Sequence, residues 1–240
     1  MTATSFDVLG FFSAEAEEQR PLLREAHSSE FMKVEGLATQ AISDLKAVDG
    51  EATQAYLIGV AYWMRCIECC QAAVLLVERG LPTAPFPVMR TAFECLFVAC
   101  ALWRKPDLVA KLQDGHDSER IKQAKAMVAA GAAGRVDPGK LLELESVAAE
   151  MPSAGPGLTA WEAAGAAGLT FEYQTAYRGF GLAGAHASLR SLDGLVEERA
   201  DGSIDFHFGP DDRHTAWLLS LVATCLTGGI QRHRESLSGA

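Results

Sequence analysis

Apolar positions along this 240-residue chain recur at steps of three and four, the period of an α-helix rather than of a strand. The clearest run is Glu51 to Arg79, where Tyr56, Val60, Trp63, Ile67, Cys70, Val74 and Val77 form one stripe. Leu57, Ala61, Met64 and Leu75 form a second stripe beside it, so the pattern predicts a central helix packed on more than one side. Gly80 ends that helix, and LPTAPFP makes a rigid connection in which Pro87 serves as the first residue of the next. Pro87 to Lys105 is apolar nearly all round and is expected to form the core of the fold. Pro106 stops it, and a more polar surface helix follows to Ala133. Gly131 to Gly139 reads as a turn, Gly139 to Glu150 as a short helix, and MPSAGPG at 151–157 as a linker or an internal loop. A helical pattern then runs from Leu169 toward Leu195, punctuated by Gly179, Gly181 and Gly184. Ile204, Phe206 and Phe208 alternate after an Asp201-Gly202 turn, the signature of a β-hairpin. Thr215 to Glu235 predicts a closing helix with Trp217, Leu218, Leu221, Val222, Cys225 and Leu226 on its buried side.

Ser13 to Val48 supplies one long acidic helix or two, and no internal repeat is present. The sum is an all-α multi-helix bundle with a small β-hairpin near the C-terminus. We expect one helical domain over 1–240, with acidic N-terminal helices in 1–50 packed on a 51–240 core.

Composition narrows the classes. The chain is 49% hydrophobic with a net charge of −10, which is globular and argues against coating nucleic acid or an anionic membrane through the overall field. The charge is uneven. Residues 1–52 carry four basic against ten acidic side chains, residues 53–130 nine against seven, and residues 131–240 eight against fourteen. Only the middle third favours an anionic partner. Six cysteines without a basic, apolar leader read as reduced thiols in a cytoplasm. The most apolar stretches, Thr91 to Trp103 and Thr215 to Ile230, are shorter than the ~18 residues of a membrane span, so no membrane association is expected. The absence of Asn and the use of 14 Arg against 7 Lys point to a GC-rich bacterial genome.

Candidate chemistry is sparse. GRVDPGKL has the spacing of a phosphate loop but continues with Leu141 and follows no strand, so it reads as a turn between helices. In CIECC, Cys66, Cys69 and Cys70 share a helix face; with Cys70 on the core stripe they read as packing thiols, and neither a metal nor a cofactor is expected. Asp205, His207, Asp211, Asp212 and His214 cluster near the hairpin, where charged turns and helix caps account for them. The informative pair is Arg90 and Glu94, one turn apart in the most apolar helix. Buried ion pairs stabilise weakly, so the pair reads either as a bridge between helices or as the lining of a polar pocket. A second polar set follows: Tyr173 with Tyr177, and His186 with Arg190, each at i, i+4 along a segment rich in Gly and Ala. A straight helix places Tyr177 and His186 on opposite sides, so they converge only if the glycines break it.

The order of these motifs, an aromatic helix, a Gly-Leu-Pro turn, R-T-x-F-E, Y-x-x-x-Y, a Gly/Ala run, His-x-Ser and a D-G-S-I hairpin, resembles a bacterial family of unknown function. It spans about residues 50–230 and rests on Arg90, Glu94, Tyr177, His186 and Ser188. The resemblance implies a single-domain helical protein akin to HEPN domains, the higher-eukaryote-and-prokaryote nucleotide-binding modules. HEPN ribonucleases use an arginine and a histidine with four to six residues between them. Arg178 and His186 have seven between them, and the arginine has no Asn after it. Arg20 and His27 fit the spacing in an acidic segment, with Pro21 in between.

The leading expectation is therefore a binding or regulatory protein whose Arg90, Glu94, Tyr177, His186, Ser188 and Arg190 line a pocket for a small polar or anionic ligand. The alternative is a metal-independent ribonuclease acting on RNA, with His186 as acid/base and Arg90 and Glu94 as further catalytic groups. A third is an interaction module in which these residues only lock the core. A homodimer is compatible with all three.

Overall fold

A computed structural model describes residues 5–46, 53–131, 133–151, 155–185, 189–192 and 195–238. The elements in order are α1 (Phe6–Leu9), α2 (Ala14–Ala26), α3 (Ser28–Lys46), α4 (Gln54–Val77), α5 (Pro85–Arg104), α6 (Leu108–Ala129), α7 (Pro138–Ala149) and α8 (Ala160–Ala167). A broken helix follows: α9 (Thr170–Glu172), a π-helical turn at Tyr173–Tyr177, α10 (Arg178–Phe180) and a second π-helical turn at Gly181–Ala185. A 3-10 turn at Leu189–Leu192, the antiparallel strands β1 (Val196–Glu198) and β2 (Ile204–Phe206), and α11 (Thr215–Ser238) complete the chain. The fold is an all-α, multi-helix one with a small hairpin, as the periodicity predicts.

α5 is the centre. Phe86, Met89, Phe93, Leu96, Phe97 and Leu102 are buried on it, and α4, α8 and α11 pack around it. Each such side chain contributes about 1.5–3 kcal/mol through the apolar surface it removes from water. Thr53 caps α4 by accepting the Tyr56 N–H, and the Thr159–Glu162 capping box starts α8. GRVDPGKL is a turn between helices: Asp137 accepts the Gly139 N–H and Pro138 opens α7.

The contact between α4 and α11 is unusually close because Gly229 leaves room for Trp63; a Cβ there would collide with the fully buried indole ring. Gly59 does the same for Trp103, whose Nε1 would lie 2.5 Å from an added Cβ. α3 lies on α11 and α4, closing the bundle on the N-terminal side. Glu78, buried just beyond α4, pairs with Arg20 at 2.8 Å and Arg24 at 2.7 Å, which ties α2 to the end of α4.

Two burial expectations are corrected. On α4 the face beside the main stripe that is buried is Ala55, Gly59, Cys66 and Ala73, whereas Leu57, Ala61, Met64 and Leu75 are exposed. Small residues admit the neighbouring helices, and the larger apolar ones are left outside. On α11, Trp217 is 45% exposed; it packs edge-on to Phe86 and tilted on Phe180 instead of entering the core. By length and composition α4 and α5 are each apolar enough to cross a membrane, and 67% of the most apolar window of α5 is buried within the fold.

Candidate functional site

The site is built from α5 and the broken helix that crosses it. Arg90 and Glu94 lie one turn apart on α5 and project from the same side. Across from them the chain leaves the α-helical path at Tyr173. In a π-turn the hydrogen bonds close one residue later than in an α-helix, so each turn is wider. Tyr173 and Tyr177, neighbours one turn apart, stack with their ring centres 5.0 Å apart and the planes 25° from parallel. Both rest on Phe97 of α5, at 6.1 and 5.8 Å, and Trp161 of α8 meets Tyr173 edge-on at 5.1 Å. The packing of these rings offsets the cost of the irregular backbone.

Arg90, Glu94 and Tyr177 converge. The Tyr177 hydroxyl donates to Glu94 Oε2 at 3.3 Å, and the Arg90 guanidinium carbon lies 4.2 Å from the centre of the Tyr177 ring. Burial first, and then the Glu94 charge, push the Tyr177 phenol up to about 12, so it stays a neutral donor at physiological pH. Arg90 Nη1 is 3.6 Å from Glu94 Oε2, an ion pair too long to be a hydrogen bond. The Arg90 Nε is buried and has no hydrogen-bond partner among the described residues. Gly181, in the second π-turn, faces that nitrogen: a Cβ there would lie 3.6 Å from it.

The expectation of a deeply buried pair is corrected. The Arg90 side chain is 27% exposed and Glu94 48%, because both lie on the side of α5 that the rest of the core leaves open. Arg90 is thus buried at its Nε, partly exposed as a side chain, and seated over an aromatic ring. His186 and Ser188 lie outside the described residues. Arg190 is exposed in the 3-10 turn, and no hydrogen bond or ion pair among the described residues joins it to Arg90, Glu94 or Tyr177.

A broad cleft of about 1080 Å³ opens between α4, α6 and residues 155–159. Tyr62 lines it, its phenol raised chiefly by burial. Gly115 and Gly157 pass at backbone contact there; a Cβ on either would come within 2.8 Å of the other's Cα.

The acidic groups near the hairpin are taken up locally. Asp205 pairs with Arg199 and Asp211 with Arg213, and among the described residues no metal-ligand grouping forms there. Arg20, whose spacing to His27 fits a ribonuclease motif, is held by Glu78.

Three features escaped the sequence reading. His233 of α11 is fully buried, stacks on Tyr56 with ring centres 6.2 Å apart, and shares a 3.0 Å hydrogen bond between its Nε2 and the Tyr56 hydroxyl. Burial holds the imidazole below its ordinary value, hence neutral. Its signal was its place seven residues after Leu226 on the buried face. Buried Glu78 had none, since a lone Glu after an apolar helix reads as surface. The third is Cys225: it lies opposite Cys66 and Cys70, with the Cys66 and Cys225 sulfurs 3.5 Å apart.

Comparison with curated proteins and with solved structures finds no match. Residues 56–204, more than half of the chain and spanning Arg90, Glu94 and Tyr177, match the family of unknown function DUF5677, to which this chain therefore belongs.

Proposed function

We propose that the protein is a binding or regulatory protein that holds a small polar or anionic ligand at Arg90, Glu94 and Tyr177. The observation that carries this is the buried Arg90 Nε without a hydrogen-bond partner among the described residues. A buried donor left unpaired costs about 1–3 kcal/mol, and a ligand acceptor removes that cost. The Tyr177 ring beneath the guanidinium and the Glu94 pair restrict Arg90 in advance, so little side-chain freedom is lost on binding. Glu94, half exposed beside it, accepts a donor from the same ligand. The ligand class is therefore one that presents an acidic oxygen to Arg90 and a hydroxyl or amine to Glu94.

Thermal denaturation with a panel of small carboxylates, inorganic phosphate and nucleoside monophosphates tests this. At least one is expected to raise the melting temperature of the wild type and not of Arg90→Met; no shift with any, or an equal shift in both, overturns it. RNA incubated without metal is expected to stay intact with wild type and with His186→Ala alike. Cleavage by the wild type that His186→Ala abolishes would replace the binding reading with the ribonuclease one.

A further inference from the structure

A second constellation lies inside the bundle, away from Arg90. Cys66 and Cys70 are one turn apart on α4, and Cys225 faces them from α11. All three are fully buried, and their sulfurs lie within 4.8 Å of one another. Three ligands bonded to one centre at about 2.3 Å are held about 3.5–4 Å apart. The 3.5 Å between Cys66 and Cys225 already meets that spacing. Among the described residues no fourth His, Cys, Asp or Glu joins the group.

Cys70 borders a cleft of about 480 Å³ between α3, α4 and α11, with Val74, Leu226, Arg24 and Glu78 along its wall, and has no exposed surface of its own.

Charge and coordination number choose the occupant. Structural zinc takes four ligands, and this group offers three in a dry surround. A monovalent soft ion held by three thiolates leaves two negative charges in the core, which is strongly unfavourable. A trivalent thiophilic centre neutralises three thiolates and needs no fourth ligand. We propose that Cys66, Cys70 and Cys225 form a three-sulfur site for a trivalent thiophilic metalloid of the arsenite class. Binding is a ligand exchange: As(OH)3 plus three cysteine thiols gives As(S-Cys)3 plus three waters. Three S–H and three As–O bonds break, three As–S bonds form, each thiol proton leaves with a hydroxide as water, and arsenic stays trivalent.

The test uses the purified, reduced full-length chain incubated with arsenite and freed of excess by gel filtration. One arsenic per chain is expected to be retained, with three sulfur neighbours and no oxygen neighbour by X-ray absorption. Cys70→Ala is expected to lower affinity by more than the about 10- to 100-fold that loss of an outer-shell partner costs at metal sites. Cys95→Ala, outside the group, is expected to bind as the wild type, and melting curves establish that each variant is folded. No arsenic retained by the wild type, or arsenic bound through fewer than three sulfurs, overturns the proposal. So does retention undiminished in folded Cys70→Ala. Should Cys70→Ala not fold, the coordination measured on the wild type decides alone.

Discussion

At the scale of single residues, Arg90 is set apart by the mismatch between its two ends: a buried Nε without a partner among the described residues and a guanidinium face laid on Tyr177. Tyr177 contributes its ring more than its hydroxyl, because Glu94 is half exposed and accepts at 3.3 Å. Tyr177→Phe is therefore expected to cost no more than about 1 kcal/mol in urea unfolding, and Tyr177→Ala about 3–5 kcal/mol. Arg90→Lys, which keeps the charge and loses the planar fork, is expected to fold normally and to lose ligand-induced stabilisation in the same melting assay. Arg90 and Glu94 were legible in the sequence as an oppositely charged pair one turn apart inside the most apolar helix, whose further charges stand only at its C-terminal end. Their half-exposure was not, because it depends on which face of α5 the broken helix covers.

The elements are joined by a few close approaches that side-chain size controls. A Cβ on Gly184 would stand 2.9 Å from Phe86 Cβ, whereas Gly179 has open space around it. Gly184→Ala is expected to destabilise by about 1–3 kcal/mol. Gly179→Ala is expected to be neutral or to stabilise by up to about 1 kcal/mol through helix propensity, so the pair of melts separates packing from propensity. Removing Glu78 takes away the buried partner of Arg20 and Arg24, but both arginines are partly exposed and Arg24 keeps Glu35, so Glu78→Ala is expected to cost about 1–3 kcal/mol by the same measurement. Helix positions were readable from period and from their stops, as at Gly80 and Pro106, whereas the short α8, opened by the Thr159–Glu162 box, was not among the elements read. The glycines of residues 179–184 announced a break, and its form, two π-turns, was not readable because a π-turn has no period of its own over five residues. The second stripe of α4 misled for a related reason: period shows which residues share a face, and the neighbours decide which face is covered.

Across the whole molecule, charge and burial together set how stability responds to pH. Burial holds His233 below its ordinary value, so folding disfavours its protonation. Above the unfolded histidine value of about 6.5 neither state carries the proton and stability is flat. Below it the unfolded chain binds a proton that the folded chain does not, and stability falls by up to about 1.4 kcal/mol per pH unit. Asp44, held low chiefly by its hydrogen bond from Arg234, lends stability that is present above the ordinary carboxylate value and is lost as pH falls through the folded one. Urea midpoints from pH 8 to about 2 are expected to decline in these two stages, the His233 stage below about pH 6.5 and the Asp44 stage below the ordinary carboxylate value, and His233→Gln to remove the first while leaving the second. The acidity of the chain lies toward its ends, six net charges in residues 1–52 and six in 131–240, and the segment bearing Arg90 is slightly basic. Net charge therefore speaks against recognition by the overall surface and leaves a local anionic ligand open.

The most direct measurement is the Nε–H resonance of Arg90 in a ¹⁵N-labelled sample titrated with the ligand that stabilises the protein. The binding account predicts a resonance free of a strong hydrogen bond in the apo protein that moves downfield to saturation as the ligand is added. A resonance that stays fixed while the ligand binds, or that is already strongly hydrogen-bonded within the apo chain, would contradict it.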